Sequence, residues 1–307
     1  MLQRYGSRTC EAVHVHDRAS HRVRPRVVAH RGASHDFPEH TLEAYQRAFD
    51  VGADGIECDV RMTRDAQLVC VHDRRVDRVS DGIGKVSLFT LAELREMQWG
   101  SGAFQVLTLR QLLALVADQP ASRRIEIAIE TKHPNRYAGA VEREVVDQLD
   151  WFGLVPGGPT DDLWTDPAGR PARRGRGSRA EGGAGSDDPG ASTPARIMSF
   201  SEVALQRLSR WAPTVPRVYL VKAKTLRGLR GSLGPVPAGA CTVGLDIRIV
   251  REQPWLVRRY QARGFAVHAW TVDEPEDVER CVDAGVTAII TNRPALVLAS
   301  LEGGASS

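Results

Sequence analysis

The sequence predicts an α/β protein, a single (β/α)8 TIM barrel with a small insertion after an early strand and a disordered loop insertion. Three observations predict it. Short apolar, β-branched runs alternate with helical patterns along most of the 307 residues. The runs number about eight, the strand count of that barrel. Several of them end in a histidine, a carboxylate or a lysine, and parallel barrels gather their chemistry at strand ends.

The elements follow in order. Val27-Val28-Ala29 reads as a short buried strand closed by His30-Arg31-Gly32. Pro38-Glu39-His40-Thr41 then leads into a helix over Leu42 to Phe49, with Thr41 near its N-cap. Gly55 to Val60 is a second strand. Side chains alternate across a strand, so Glu57 and Asp59 point the same way. A third strand, Leu68 to Val71, ends in His72-Asp73. The insertion runs from Asp73 to Thr108 and carries a short helix over Thr90 to Gln98.

Helices over Thr108 to Asp118 and Ala138 to Phe152 flank a fourth strand, Ile125 to Lys132. Its isoleucines share one face; Glu126, Ala128, Glu130 and Lys132 share the other. Residues 156–194 are dense in Gly, Pro, Arg, Ser and Asp and too poor in apolar groups to order themselves. The barrel resumes at Ala195 to Phe200. A helix over Glu202 to Trp211, strands Arg217 to Val221 and Thr242 to Ile247, and a helix over Glu252 to Gly264 come next. Ala266 to Val272 and Ala288 to Pro294 are the last strand segments. The expected organisation is a flexible tail over 1–25, one domain over 26–300 with the insertion inside it, and a tail over 301–307.

Composition narrows the function classes. A formal net charge of +3 is too small to argue for nucleic acid, and no basic run is interleaved with aromatics. The five cysteines are odd in number and form no CxxC; Cys58 and Cys70 fall inside strands and read as small buried thiols. No apolar stretch has the length of a signal peptide or of a membrane span, so the expected location is cytoplasmic, without a stable membrane anchor. His14, His16 and His21 belong to a basic tail, where a disordered segment is the plainer reading than a metal site. The Arg173 to Arg179 cluster reads as part of a solvated insertion rather than a lipid contact. Nothing in the chain specifies an oligomeric state.

Six segments come together as one pattern: HRGASHDFPEHT, GIECDV, VHD, the IETK run, AWTV and GVTAIITNRP. In this order, over about residues 26 to 299, they resemble the glycerophosphodiester phosphodiesterase family. Two positions depart from it. The family usually has Asn where His40 stands and often has Asp where Asn292 stands. Neither position is assigned to central chemistry. The resemblance implies a small-molecule glycerophosphodiester substrate, attacked in the first step by its own glycerol 2-hydroxyl.

Residue chemistry agrees with that implication. Hydrolysing a phosphodiester requires neutralised phosphoryl oxygens, a deprotonated nucleophile and a protonated leaving group. Glu57, Asp59 and Glu130 offer three hard oxygen donors, which suit one divalent cation, Mg2+ or Ca2+, better than zinc. Arg31 and Lys132 add positive charge for the phosphate. His30 and His72 titrate near neutrality and form an acid/base pair, His30 as base and His72 as acid. Trp270 and Phe200 are candidates for packing against the glycerol.

Each assignment has a plainer rival. Glu57 and Asp59 could be salt-bridged to Arg31 and Arg61 without a metal. His72-Asp73 could cap a turn, Lys132 could be a structural partner of Glu130, and Trp270 could be core. Glu126 lies deeper on the inward face and reads as a lower-layer polar contact, and His268 reads as structural by the period-two argument that places it beside Trp270. Hydrolysis of glycerophosphodiesters to glycerol 3-phosphate is the leading function. A lysophospholipase D-type activity ranks second, and a non-catalytic phosphate-binding barrel third.

Overall fold

The computed structural model describes residues 24–102, 104–120, 123, 125–154, 195–223, 236–237 and 239–303. The insertion at 156–194, the N-terminal tail through residue 23 and the last four residues lie outside them. So do the tail histidines and the Arg173 to Arg179 cluster.

The strands are β1 (Arg26–His30), β2 (Gly55–Met62), β3 (Leu68–Cys70), β4 (Glu126–Thr131), β5 (Ala195–Ser199), β6 (Arg217–Val221), β7 (Thr242–Asp246), β8 (Ala266–Trp270) and β9 (Ala288–Thr291). All but β3 pair in parallel, in the order β1-β9-β8-β7-β6-β5-β4-β2, and a β1–β2 pairing closes the ring. The closed eight-stranded parallel barrel with flanking helices is the predicted (β/α)8 fold. One expectation needs correcting. Leu68 to Val71 is not a barrel strand, because β3 runs antiparallel to β2. The short turn after Met62 is too brief for a parallel crossover, so the chain can only fold back as a hairpin.

The helices are α1 (Leu42–Asp50), α2 (Leu91–Glu96), α3 (Leu109–Ala117), α4 (Ala140–Trp151), α5 (Glu202–Trp211), α6 (Ile247–Glu252), α7 (Trp255–Gln261), α8 (Pro275–Ala284) and α9 (Pro294–Gly303). Thr41 caps α1 by accepting from the Ala44 N–H at 3.2 Å. The helix expected over Glu252 to Gly264 is the shorter α7, and α6, which the sequence pattern did not foretell, precedes it and ends before Pro254. α9 runs to Gly303, past the expected boundary at residue 300.

Period-two alternation sorts every barrel strand. The outward residues, such as Ile56, Cys58, Ile127 and Ile129, pack with α1, α3 and α4 in one half of the outer core. Val243, Leu245, Val267 and Ile289 pack with α6 to α9 in the other. The inward residues form layers. At the bottom, Glu126 is paired with both Arg26 and Arg196. The middle layer is apolar, with Val28, Ala128, Met198, Val218 and Ile290. Above it lie the strand ends with their histidines and carboxylates. The insertion has its own small core, Val69, Val71, Val76, Val86, Leu94 and Trp99.

Candidate active site

The backbone after β1 turns sharply. Arg31 (φ 59°) and Gly32 (φ 82°) are both left-handed. Gly32 is there because a Cβ would lie 2.6 Å from the backbone of Ala44 in α1. The turn directs the Arg31 N–H to the Glu57 carboxylate at 3.1 Å.

Glu57 and Asp59 from β2 and Glu130 from β4 converge. Their ligand oxygens lie within 4.8 Å of one another, and all three residues are buried. Adjacent strands in register bring this about, since Asp59 is the Cα partner of Glu130. Lys132 Nζ sits 2.7 Å from both Asp59 Oδ1 and Glu130 Oε1. Arg31 Nε is 2.9 Å from Asp59 Oδ2, and its Nη1 reaches Glu39 at 3.2 Å. Three carboxyl groups therefore share two cations, one negative charge in excess when all three are ionised. Burial, then the charge of Asp59, push Glu57 well above the usual carboxylate range and Glu130 up to about 7. Against burial, Lys132, His40 and Arg31 hold Asp59 well below it. Burial alone would lower Lys132, but Asp59 and Glu130 raise it.

Of the rival pairing, half is present. Arg31 does bridge to Asp59, but Arg61 donates through Nε and Nη2 to the His72 carbonyl at 3.0 and 2.7 Å.

The two histidines face the same space from opposite sides. His30 Nδ1 donates to Asn292 Oδ1 at 2.7 Å. Asn292 is itself oriented, since its Nδ2 donates to Asp273 Oδ2 at 2.7 Å. The chain Asp273–Asn292–His30 leaves His30 Nε2 as the free acceptor, 3.9 Å from Glu57 Oε2. Burial first, then Arg31, lower His30 to about 4. His72 Nδ1 donates to Asp73 Oδ1 at 2.9 Å. Burial also lowers His72, with Asp59 and Asp73 opposing it.

A cavity of about 290 Å³ joins these groups. Its far wall is Phe200 and Trp270, edge to face with ring centroids 5.5 Å apart. Trp270 is held by its indole N–H donating to the Gly244 carbonyl at 3.0 Å. Lys222 Nζ lies 4.3 Å from the centroid of the Phe200 ring.

The sequence profile described as Glycerophosphoryl diester phosphodiesterase family matches residues 30–154 and 180–296. The chain belongs to the glycerophosphoryl diester phosphodiesterase family. As a family member it is an enzyme, a phosphoric diester hydrolase. A probable glycerophosphodiester phosphodiesterase 1 of Mycobacterium tuberculosis is 43% identical over 291 residues, covering 91% of this chain and 93% of the relative. The glycerophosphodiester phosphodiesterase of Bacillus subtilis is 29% identical over 281 residues, covering 88% and 84%. A putative glycerophosphoryl diester phosphodiesterase from Silicibacter pomeroyi shares the fold with a TM-score of 0.72 at 22% identity, covering 91% and 94%. An Oleispira antarctica phosphodiesterase, solved in complex with the product sn-glycerol-3-phosphate, does so with a TM-score of 0.66 at 20% identity, covering 91% and 97%.

All the residues singled out in the sequence, His30, Arg31, Glu57, His72, Glu130, Lys132, Phe200 and Trp270 with Asp59 between them, lie around this cavity. Two residues set aside as peripheral belong to the site. Asn292 orients His30. His40 is buried and donates from Nε2 to Asp59 Oδ2 at 3.1 Å, with the Tyr45 hydroxyl 2.8 Å from Nδ1. A usable signal existed for both, namely the departures from the family pattern at those positions. Glu126 sits in the bottom layer as expected, and His268 is buried near it, where burial and the nearby Arg196 and Arg26 hold His268 well below its ordinary value. No helix among the described residues is long and apolar enough to cross a membrane.

Proposed function

We propose that this enzyme hydrolyses glycerophosphodiesters to glycerol 3-phosphate and an alcohol, with a divalent cation and a histidine acid/base pair. The observation that carries the reading is the carboxylate triad beneath two histidines whose ring nitrogens are fixed by separate partners. The donor set fits a hard cation. It is all oxygen, buried, and short of positive charge by one unit. Glu57, Asp59 and Glu130 would hold Mg2+ or Ca2+. Bound there, the ion supplies Lewis-acid stabilisation of a phosphoryl oxygen. With a divalent cation the site becomes net positive by one, the complement of a diester anion.

The remaining chemistry belongs to the chain. His30, held neutral by burial, accepts the proton of the glycerol 2-hydroxyl at Nε2 as that oxygen attacks phosphorus. His72 gives a proton to the departing alkoxide. Burial lowers His72, and Asp73 together with the diester anion beside it opposes that and favours its protonated form. A cyclic phosphate results. Water then opens it, with His72 taking the water proton and His30 returning its own to the glycerol oxygen. Arg31 and Lys132 place positive charge at the phosphate while fixing the carboxylates. Phe200 and Trp270 wall the substrate and exclude water.

The test is release of glycerol 3-phosphate from glycerophosphocholine, glycerophosphoethanolamine and glycerophosphoglycerol, in EDTA and with Mg2+ or Ca2+ restored. Release that returns with metal is expected. Release undiminished in EDTA would remove the metal from the reaction, and no release from any diester would remove the function.

A further inference from the structure

Beside the cavity lies a smaller groove of about 50 Å³, between the insertion and the loop after β4. The two spaces share Arg61, Arg74 and Lys132 as walls. Ser87 on one side and Arg136 on the other complete the groove, and no carboxylate lines it among the described residues.

The four cations differ in their engagement. Arg61 is spent on the His72 carbonyl. Lys132 is held by Asp59 and Glu130. Arg136 is exposed, donates from Nη2 to the Ser87 carbonyl at 2.7 Å and lies over the Tyr137 ring, without an ion-pair partner among the described residues. Arg74 is exposed and makes no side-chain hydrogen bond or ion pair among them. Asp73, adjacent to Arg74 in sequence, is committed to His72 and to Arg78 Nε at 2.5 Å.

The opposite flank of the cavity has the same sign. A quaternary or primary ammonium is recognised by open aromatic faces or free carboxylates. Here the Phe200 face carries the Lys222 ammonium. A cationic headgroup therefore meets like charge on both flanks. An anionic one meets two guanidinium forks with unmatched charge.

We propose that this groove binds an anionic group on the leaving alcohol, a second phosphate, so that the enzyme selects diesters with phosphorylated headgroups over those with cationic ones. The inference deepens the phosphodiesterase reading and rests on it. The shared chemistry, a phosphate one alcohol away from the scissile bond, occurs in small diesters and in glycerol phosphate oligomers.

The test compares kcat/KM for glycerophosphoinositol 4-phosphate, a short glycerol phosphate oligomer and glycerophosphocholine. It uses the full chain and an Arg74→Glu/Arg136→Glu variant. The anionic-to-choline ratio is expected to be about tenfold or more in the wild type and to fall towards one in the variant and at high salt. The ratio is internal to each protein, so loss of folded enzyme lowers both members alike. Preference for the oligomer or for the small diester identifies the carrier, and either supports the groove. Equal kcat/KM for anionic and choline diesters in the wild type overturns it, as does a preference that survives charge reversal. No hydrolysis of any of the three overturns the phosphodiesterase reading itself, and the inference with it.

Discussion

His30 and His72 differ in what orients them, and the roles proposed for them follow that difference. His30 is tied to a neutral amide and His72 to a carboxylate. A carboxylate partner favours the charged ring against the burial that lowers His72, which suits His72 to the acid's role in the proposed mechanism. His30→Ala and His72→Ala are each expected to lower turnover at least about a hundredfold, the usual contribution of a general acid or base, with an unchanged circular dichroism spectrum. Near-wild-type activity in either variant would take that histidine out of the mechanism. His40 acts at one remove, through Asp59. His40→Ala is expected to weaken metal affinity by about 10–100-fold, the usual cost of losing a hydrogen bond to a ligand. His40→Asn, which restores the family's usual residue, should recover most of it. Titration calorimetry with Mg2+ or Ca2+ distinguishes the two; equal affinity in wild type and His40→Ala would show that His40 only fills space.

Among the elements, the β1–α1 turn does most to place the site. Arg31 leaves the strand left-handed, which aims its N–H at Glu57 and its guanidinium at Asp59. Gly32 makes that possible by approaching Ala44 with no side chain. Gly32→Ala combines a strained φ with a backbone clash and should cost roughly 2–5 kcal/mol, read as a lower urea midpoint. A change under about 0.5 kcal/mol would show that the turn can relax. The insertion is fastened over the same corner by Arg78, which reaches Glu39 at 2.7 Å as well as Asp73. Arg78 is half exposed, so solvent screens these pairs and their loss should cost no more than about 1 kcal/mol.

For the whole molecule, the titrating groups set opposite pH trends. His40 and His268 are buried and His30 is partly buried, and all three are held below the ordinary histidine value, chiefly by desolvation. As pH falls through about 6.5 the unfolded chain takes up these protons and the folded chain does not. Stability present above that pH is therefore lost below it, by about 1.4 kcal/mol per pH unit for each such group. His268→Asn should flatten the fall in urea stability between pH 6.5 and 5; an unchanged slope would show that His268 protonates in the fold. Glu57 and Glu130 act the other way. Their folded values are raised, so without metal the fold loses stability as pH rises from the carboxylate range towards 7. A bound divalent cation must displace those protons. The rise in Tm on adding Mg2+ or Ca2+ should therefore grow from pH 5 to pH 8, and a rise that is constant with pH would place the metal elsewhere.

The chain's local patterns were sufficient for much of this. Period-two alternation alone put Glu57 with Asp59, Glu130 with Lys132 and His268 with Trp270, and it sent Glu126 to a lower layer, because side-chain direction along a strand is a local property. Strand ends marked His30 and His72 for the same reason. Strand direction was beyond that reach. Nothing in Leu68 to Val71 distinguishes a hairpin strand from a barrel strand, since both are short and apolar; only pairing with β2 decides it. The departures from the family pattern marked His40 and Asn292, but not which residues they contact. Asn292 meets His30 across 262 positions, and His40 meets Asp59 across 19. Those distances in sequence close only when the barrel does, by bringing β9 beside β1 and β1 beside β2. The open guanidiniums of Arg74 and Arg136 belong to the same class, because whether a charge is matched depends on what the fold sets beside it.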